Sequence, residues 1–204
     1  MSSYIQCRNC TSQYNQDEIL HRIFETIGTT NRHCVEFGFG YNDAQNLRLK
    51  SFQTSQKMSS WLNTHALVRQ GWTPALFDAE YENPHINLHK KVLTPDNIGQ
   101  AFQEAGIPID VDYVSIDVDS IDVWLFHGLM VSGYRPRVVS VEYNSNFPLD
   151  MPIACERTWA PWKRKSRVFG SSVSSINMVG EMFGYKVVEI MPKCDMFLVG
   201  KDIL

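Results

Sequence analysis

The chain has 204 residues, 44% of them hydrophobic and 20% charged, with a formal net charge of −3. That length and apolar share suit one domain with its own core. The near-neutral charge argues against a module whose main work is neutralising nucleic-acid phosphates. No apolar run approaches a bilayer span, and the opening MSSYIQCRNC lacks the apolar centre of a signal peptide, so the expectation is a soluble, intracellular or cytoplasmic protein with no membrane partner.

Five cysteines, at 7, 10, 34, 155 and 194, read as free thiols of a reducing compartment. Cys7 and Cys10 form a C-x-x-C pair, but neither a second pair nor nearby histidines complete a zinc set.

The first predicted element is a helix over 13–27, with Ile19, Ile23, Phe24 and Ile27 on one side and Asp17 and Glu18 at its positive end. Next, His33–Phe37 reads as a buried strand running into Gly38-Phe39-Gly40. Residues 41–60 are polar and weakly patterned, an insertion over a ligand. A helix is expected over 61–71, closed by Gly71, then a strand Thr73–Phe77 ending at Asp78 and another near His89–Leu93. Thr94-Pro95-Asp96-Asn97 starts a helix that runs to Ala105 before Gly106.

Tyr113–Ile116 is the clearest strand, followed by Asp117-Val118-Asp119-Ser120-Ile121-Asp122 and a helix carrying Val123, Trp124, Phe126 and Leu129. The strand Arg137–Val141 ends in Glu142-Tyr143-Asn144. After a long connection over 145–169, a helix spans Gly170–Phe183 with Val173, Ile176, Met178 and Val179 inward. Tyr185–Met191 and Met196–Gly200 close the chain as a hairpin around Pro192–Asp195. Alternation of strand and helix predicts an α/β fold, a doubly wound, mostly parallel sheet in a single domain over 1–204.

In such sheets ligands sit outside the carboxyl ends of the strands. Glu36, Asp78, Asp117 with Asp119, and Glu142 all stand at predicted strand ends. The E-x-G-x-G turn at Glu36, Gly38 and Gly40 allows close backbone approach to a ligand. Asp43 stands where a dinucleotide fingerprint needs a third glycine, and an acid beside the turn suits a cation better than a pyrophosphate. Asp78 lies about twice as far from Glu36 as the ~20 residues of a standard dinucleotide unit, the excess matching segment 41–60.

The stretches QDEILHRIF, CVEFGFG, LNTHALVRQGW, LFDAE, VLTPDNI, DYVSIDVDSIDVW, RPRVVSVEYNSNFP, FGSSVSSI and CDMFLVGKDIL run in order through nearly the whole chain. In these stretches the sequence resembles the FkbM-like branch of class I S-adenosylmethionine-dependent methyltransferases. The resemblance implies a Rossmann-like sheet of seven strands, the last antiparallel, and O-methylation of a sugar or glycan hydroxyl. It implies that Glu36, Gly38, Gly40, Asn63 and Thr64 line the methionine part of the donor. Asp78 would hold the ribose, and Thr94 and Asp117 would lie beside the adenine and the methyl donor. Ser120 stands where the family often has glycine.

A sugar hydroxyl needs a base or a metal to become a nucleophile at neutral pH. Asp117, Asp119, Glu142 and Asn144 are the candidate catalytic set, either as ligands of Mg²⁺ or with Asp119 or a histidine as base without metal. His89 and His127 are nearest, each more readily a packed histidine than a catalytic one. Trp159, Trp162, Lys163 and Arg164 are the candidate acceptor contacts, since flat rings stack on sugars and cations favour the phosphates of a nucleotide sugar. Solvated basic loops with tryptophans packed below give the same pattern. A Mg²⁺-dependent methyltransferase of another hydroxyl compound and a non-catalytic nucleotide-binding module are the alternatives.

Overall fold

The computed structural model describes residues 12, 15–38, 62–158 and 167–204. Its elements are, in chain order, α1 (Gln16–Ile27), β1 (His33–Phe37), α2 (His65–Arg69), β2 (Thr73–Asp78), β3 (Leu88–Lys90), α3 (Ile98–Glu104), β4 (Tyr113–Ile116), α4 (Asp122–Val131), β5 (Val138–Glu142), α5 (Val173–Met182), β6 (Tyr185–Ile190) and β7 (Asp195–Gly200). One seven-stranded sheet has the order β3-β2-β1-β4-β5-β7-β6. The first five strands pair in parallel, and β7 runs antiparallel between β5 and β6. This is an α/β fold with a mixed, mostly parallel sheet, consistent with a Rossmann-like arrangement.

Alternate residues of each strand face opposite ways, and both faces are covered. Val35, Phe37, Val114, Ile116, Val139, Val141, Met196 and Leu198 pack with α3, α4 and Ile176 of α5. Cys34, Tyr113, Val138, Phe197 and Val199 pack with Ile19, Leu20 and Phe24 of α1 and Leu67 and Val68 of α2. Strands buried on both faces explain why β4 and β5 are apolar apart from Ser115, Ser140 and the terminal Glu142. Glu36, Ser115, Ser140, Glu142 and Asp195 occupy the alternate positions of the α1–α2 face.

Aromatic rings fix the α3 side. Phe77 and Phe102 stack at 5.8 Å, and Phe37 meets both edge-on. The other end of the sheet is closed by Asp112, whose carboxylate accepts the Thr30, Asn31 and Arg32 amides and pairs with Arg137 at 2.9 Å. α4 has almost no polar face, because its N-terminal half is covered by Ala154 and Cys155, whose carbonyl accepts the Trp124 indole N–H at 2.8 Å.

Several expected boundaries shift. The helix expected over 61–71 is, among the described residues, α2 at His65–Arg69, preceded by a turn whose Asn63 and Thr64 amides bind Glu36. Met178, expected inward on α5, is 50% exposed. Asp195, expected in the hairpin turn, begins β7 in register with Glu142. Cys34, Cys155 and Cys194 are free thiols, and Cys7 and Cys10 lie outside the described residues. No helix among the described residues is long and apolar enough to cross a membrane.

Candidate functional site

Parallel pairing aligns the carboxyl ends of β1, β2, β4 and β5 along one rim. The antiparallel β7 contributes its amino end to the same rim. Glu36 is the penultimate residue of β1, and both its oxygens are engaged. Oε1 accepts the Asn63 amide at 2.8 Å, while Oε2 accepts the Thr64 amide at 2.9 Å and the Thr64 hydroxyl. Glu36 thereby anchors the turn that leads into α2. Burial pushes its carboxyl up to about 7 against the three bonds that favour the charged form.

Gly38 follows with φ +76, and a Cβ there would overlap the Asp117 carbonyl oxygen. The backbone after β1 thus lies directly against the backbone after β4. The turn Asp117–Ile121 is shaped by Asp122, whose two oxygens accept the Val118 amide at 2.7 Å and the Ser120 amide at 3.0 Å. Asp119 sits in the left-handed region at φ 56, which aspartate tolerates better than most residues.

Three of these groups converge. Carboxylate oxygens of Asp117, Asp119 and Glu142 lie within 4.8 Å of one another, each residue partly buried. Burial, followed by the neighbouring acids, holds the Asp117 carboxyl well above the usual carboxylate range and pushes Glu142 up to about 12. Burial alone raises Asp119. Among the described residues no Lys or Arg forms an ion pair with Glu36, Asp117, Asp119, Asp122, Glu142 or Asp195. Such an array favours a cation or bound protons, and the all-oxygen donor set suits a hard metal ion. Glu142 Oε2 is buried without a hydrogen-bond partner, an open acceptor within that set.

The remaining candidates stand apart from this trio. Asn144 is 1% exposed; its amide donates to the Arg167 and Phe169 carbonyls, and its Oδ1 accepts from Asn146. It fixes the connection after β5. Asp78 Oδ1 accepts the Glu80 and Tyr81 amides, holding the turn after β2. Thr94 and Asn97 exchange side-chain–backbone bonds at the start of α3. His89 stacks on Phe77 at 5.2 Å and His127 meets Phe183 at 5.6 Å, so both rings are packing elements. Gly40, Trp159, Trp162, Lys163 and Arg164, like segment 41–60, lie outside the described residues.

Sequence reasoning missed Asp195 and Gln16. Asp195 is 1% exposed; its Oδ2 accepts from Gln16 Nε2 at 3.2 Å, Asn63 Nδ2 at 3.3 Å and the Cys194 thiol at 3.5 Å. Asn63 Nδ2 also donates to Ser115 Oγ at 3.0 Å, which leads on to Ser140 and the Tyr113 hydroxyl. The period-two serines of β4 and β5 were the available signal: polar residues at alternate positions of strands otherwise buried on both faces.

Fold and site together define an α/β protein with an acidic rim along one edge of its sheet. No protein-family model matches the chain, and no curated protein matches it.

Proposed function

We propose that the chain is an S-adenosylmethionine-dependent O-methyltransferase acting on a hydroxyl of a sugar or glycan. The observation that carries this reading is the convergence of Asp117, Asp119 and Glu142 beside the Gly38 turn, with no Lys or Arg among the described residues ion-paired to these three acids. A sulfonium donor is a cation that such a rim attracts, whereas a dinucleotide pyrophosphate is repelled. The seven-stranded order with antiparallel β7 agrees with what the FkbM-like resemblance implies. The sugar acceptor rests on that resemblance and on the Trp159–Arg167 sequence.

In this reading the acceptor oxygen attacks the donor's methyl carbon in line with the C–S bond. The C–O bond forms, the C–S electron pair goes to sulfur, and the hydroxyl proton passes to Asp119. Asp119 suits that role because its raised proton affinity brings it nearer the working pH. Asp122 keeps the 118–120 backbone in place, and Gly38 sets the distance between the two loops.

The spacing of the trio favours a second route with Mg²⁺. Asp117, Asp119 and Glu142 would hold the ion, which would acidify the acceptor hydroxyl. Calorimetry with S-adenosylmethionine and with NAD tests the class of ligand: binding of NAD alone would overturn the proposal. Turnover with a panel of sugars, with and without EDTA, then tests the acceptor and the metal.

A further inference from the structure

Glu36 is largely committed to the Asn63–Thr64 turn, so the group that receives the donor's ammonium must be sought elsewhere on the rim. Two buried acceptors adjoin that turn without a hydrogen-bond partner, Asn63 Oδ1 and Asp195 Oδ1. Their residues are 4% and 1% exposed, and they are joined to each other by the Asn63 Nδ2–Asp195 Oδ2 bond. Asp195 stands opposite Glu142 across β5 and β7, on the α1–α2 face. Asn63 is held against Glu36 through its backbone amide. The pair therefore bridges the end of β1 and the end of β5.

A buried carboxylate in this fold can be fully satisfied. Asp112 has three backbone amides and Arg137. Asp195 instead has only neutral donors, all on one oxygen, and its other oxygen faces none. Leaving a buried acceptor open costs free energy, which a donor from a bound ligand would offset. Both open atoms are acceptors on two hydrogen-bonded residues, and a group suited to satisfy them beside uncompensated acids is a cationic donor with several N–H bonds. A primary ammonium has three.

We propose that Asn63 Oδ1 and Asp195 Oδ1 seat the α-ammonium group of the amino-acid part of the donor, which makes Asp195 a binding residue. This inference rests on the methyl-donor reading above. Asp195 specifies the amino-acid end of the ligand and leaves recognition of the nucleoside to other residues.

The test compares two ligands on two proteins by calorimetry. S-adenosylhomocysteine carries the ammonium, and 5′-methylthioadenosine keeps the nucleoside and thioether but lacks it. Asp195→Asn is expected to weaken S-adenosylhomocysteine about tenfold or more, the scale of one charged hydrogen bond, and to leave 5′-methylthioadenosine within about twofold. Equal weakening of both ligands, or of neither, overturns the assignment. If Asp195→Asn does not fold, Asn63→Ala keeps the backbone amide on Glu36, removes one open oxygen and must show the same discrimination. Failure of the unaltered protein to bind either ligand refutes the methyl-donor reading itself, a result distinct from equal weakening in the variant.

Discussion

Glu142 on β5 and Asp195 on β7 stand directly opposite each other in an antiparallel pair, two acids in register on a covered face of the sheet. Like charges so placed repel. The pair exists because the parallel strands end, and the one antiparallel strand begins, at the same rim. Several consequences of that crowding can be measured.

Stability without ligand should fall as pH rises. Glu36 and Asp122 are each pushed up to about 7 and Glu142 up to about 12, in every case chiefly by burial. Their folded values exceed the unfolded ones, so the folded chain binds more protons, and stability declines with pH above the unfolded carboxylate range near 4.5. The expected drop in Tm between pH 5 and pH 8 is several degrees. Thermal unfolding across that range checks it, and Glu142→Gln should flatten the upper part of the profile.

Asp119→Asn tests the base without disturbing the turn, because asparagine tolerates the left-handed backbone at φ 56. Single-turnover methyl transfer should slow by about 10²-fold or more, while donor affinity measured by calorimetry changes little. A rate within twofold of the unaltered protein would remove Asp119 from the chemistry.

Gly38→Ala should damage both the fold and donor binding. The added methyl overlaps the Asp117 carbonyl oxygen, and alanine resists φ +76. A loss of about 1–3 kcal/mol in denaturant unfolding is expected, together with weaker donor binding in whatever fraction remains folded.

A divalent ion, if the second route holds, binds through Asp117, Asp119 and Glu142. Calorimetric titration with Mg²⁺ or Mn²⁺ should then show one site, lost in Glu142→Gln, and metal should raise Tm most at high pH. Full activity in EDTA would dismiss the ion from the mechanism.

Phe102 is completely buried where α3 meets the sheet, against Phe37, Phe77 and Tyr134. Phe102→Ala should cost about 3–5 kcal/mol in chemical denaturation, without altering the proton or metal affinities of the rim.

Much of this architecture was legible because its strands are short apolar runs punctuated by acids and glycines. Tyr113–Ile116 was bounded correctly, since Asp117 ends the run. Asking which residues terminate parallel strands points to Glu36, Asp117, Asp119 and Glu142, and the structure places all four at one rim of the sheet. The same question hides Asp195, because an antiparallel strand brings its first residue to the rim, and sequence order places that residue in a turn. Asn144 misled for another reason: its side chain is an oxygen donor by composition, yet the Arg167 and Phe169 carbonyls claim its amide across a long stretch of sequence. The α2 boundary also depends on a distant partner, the Glu36 carboxylate, which local propensity does not register.

Gly128 lies on α4 where a side chain would run into the Pro95 backbone. The helix and the turn carrying Thr94 therefore touch main chain to main chain, with no compressible side chain as a cushion between them. A shift of α4 is transmitted to that turn as a rigid displacement, and Asp122 at the helix start carries the same motion into the 118–120 amides. Any redesign along this side must alter loop residues and leave the helix where it is.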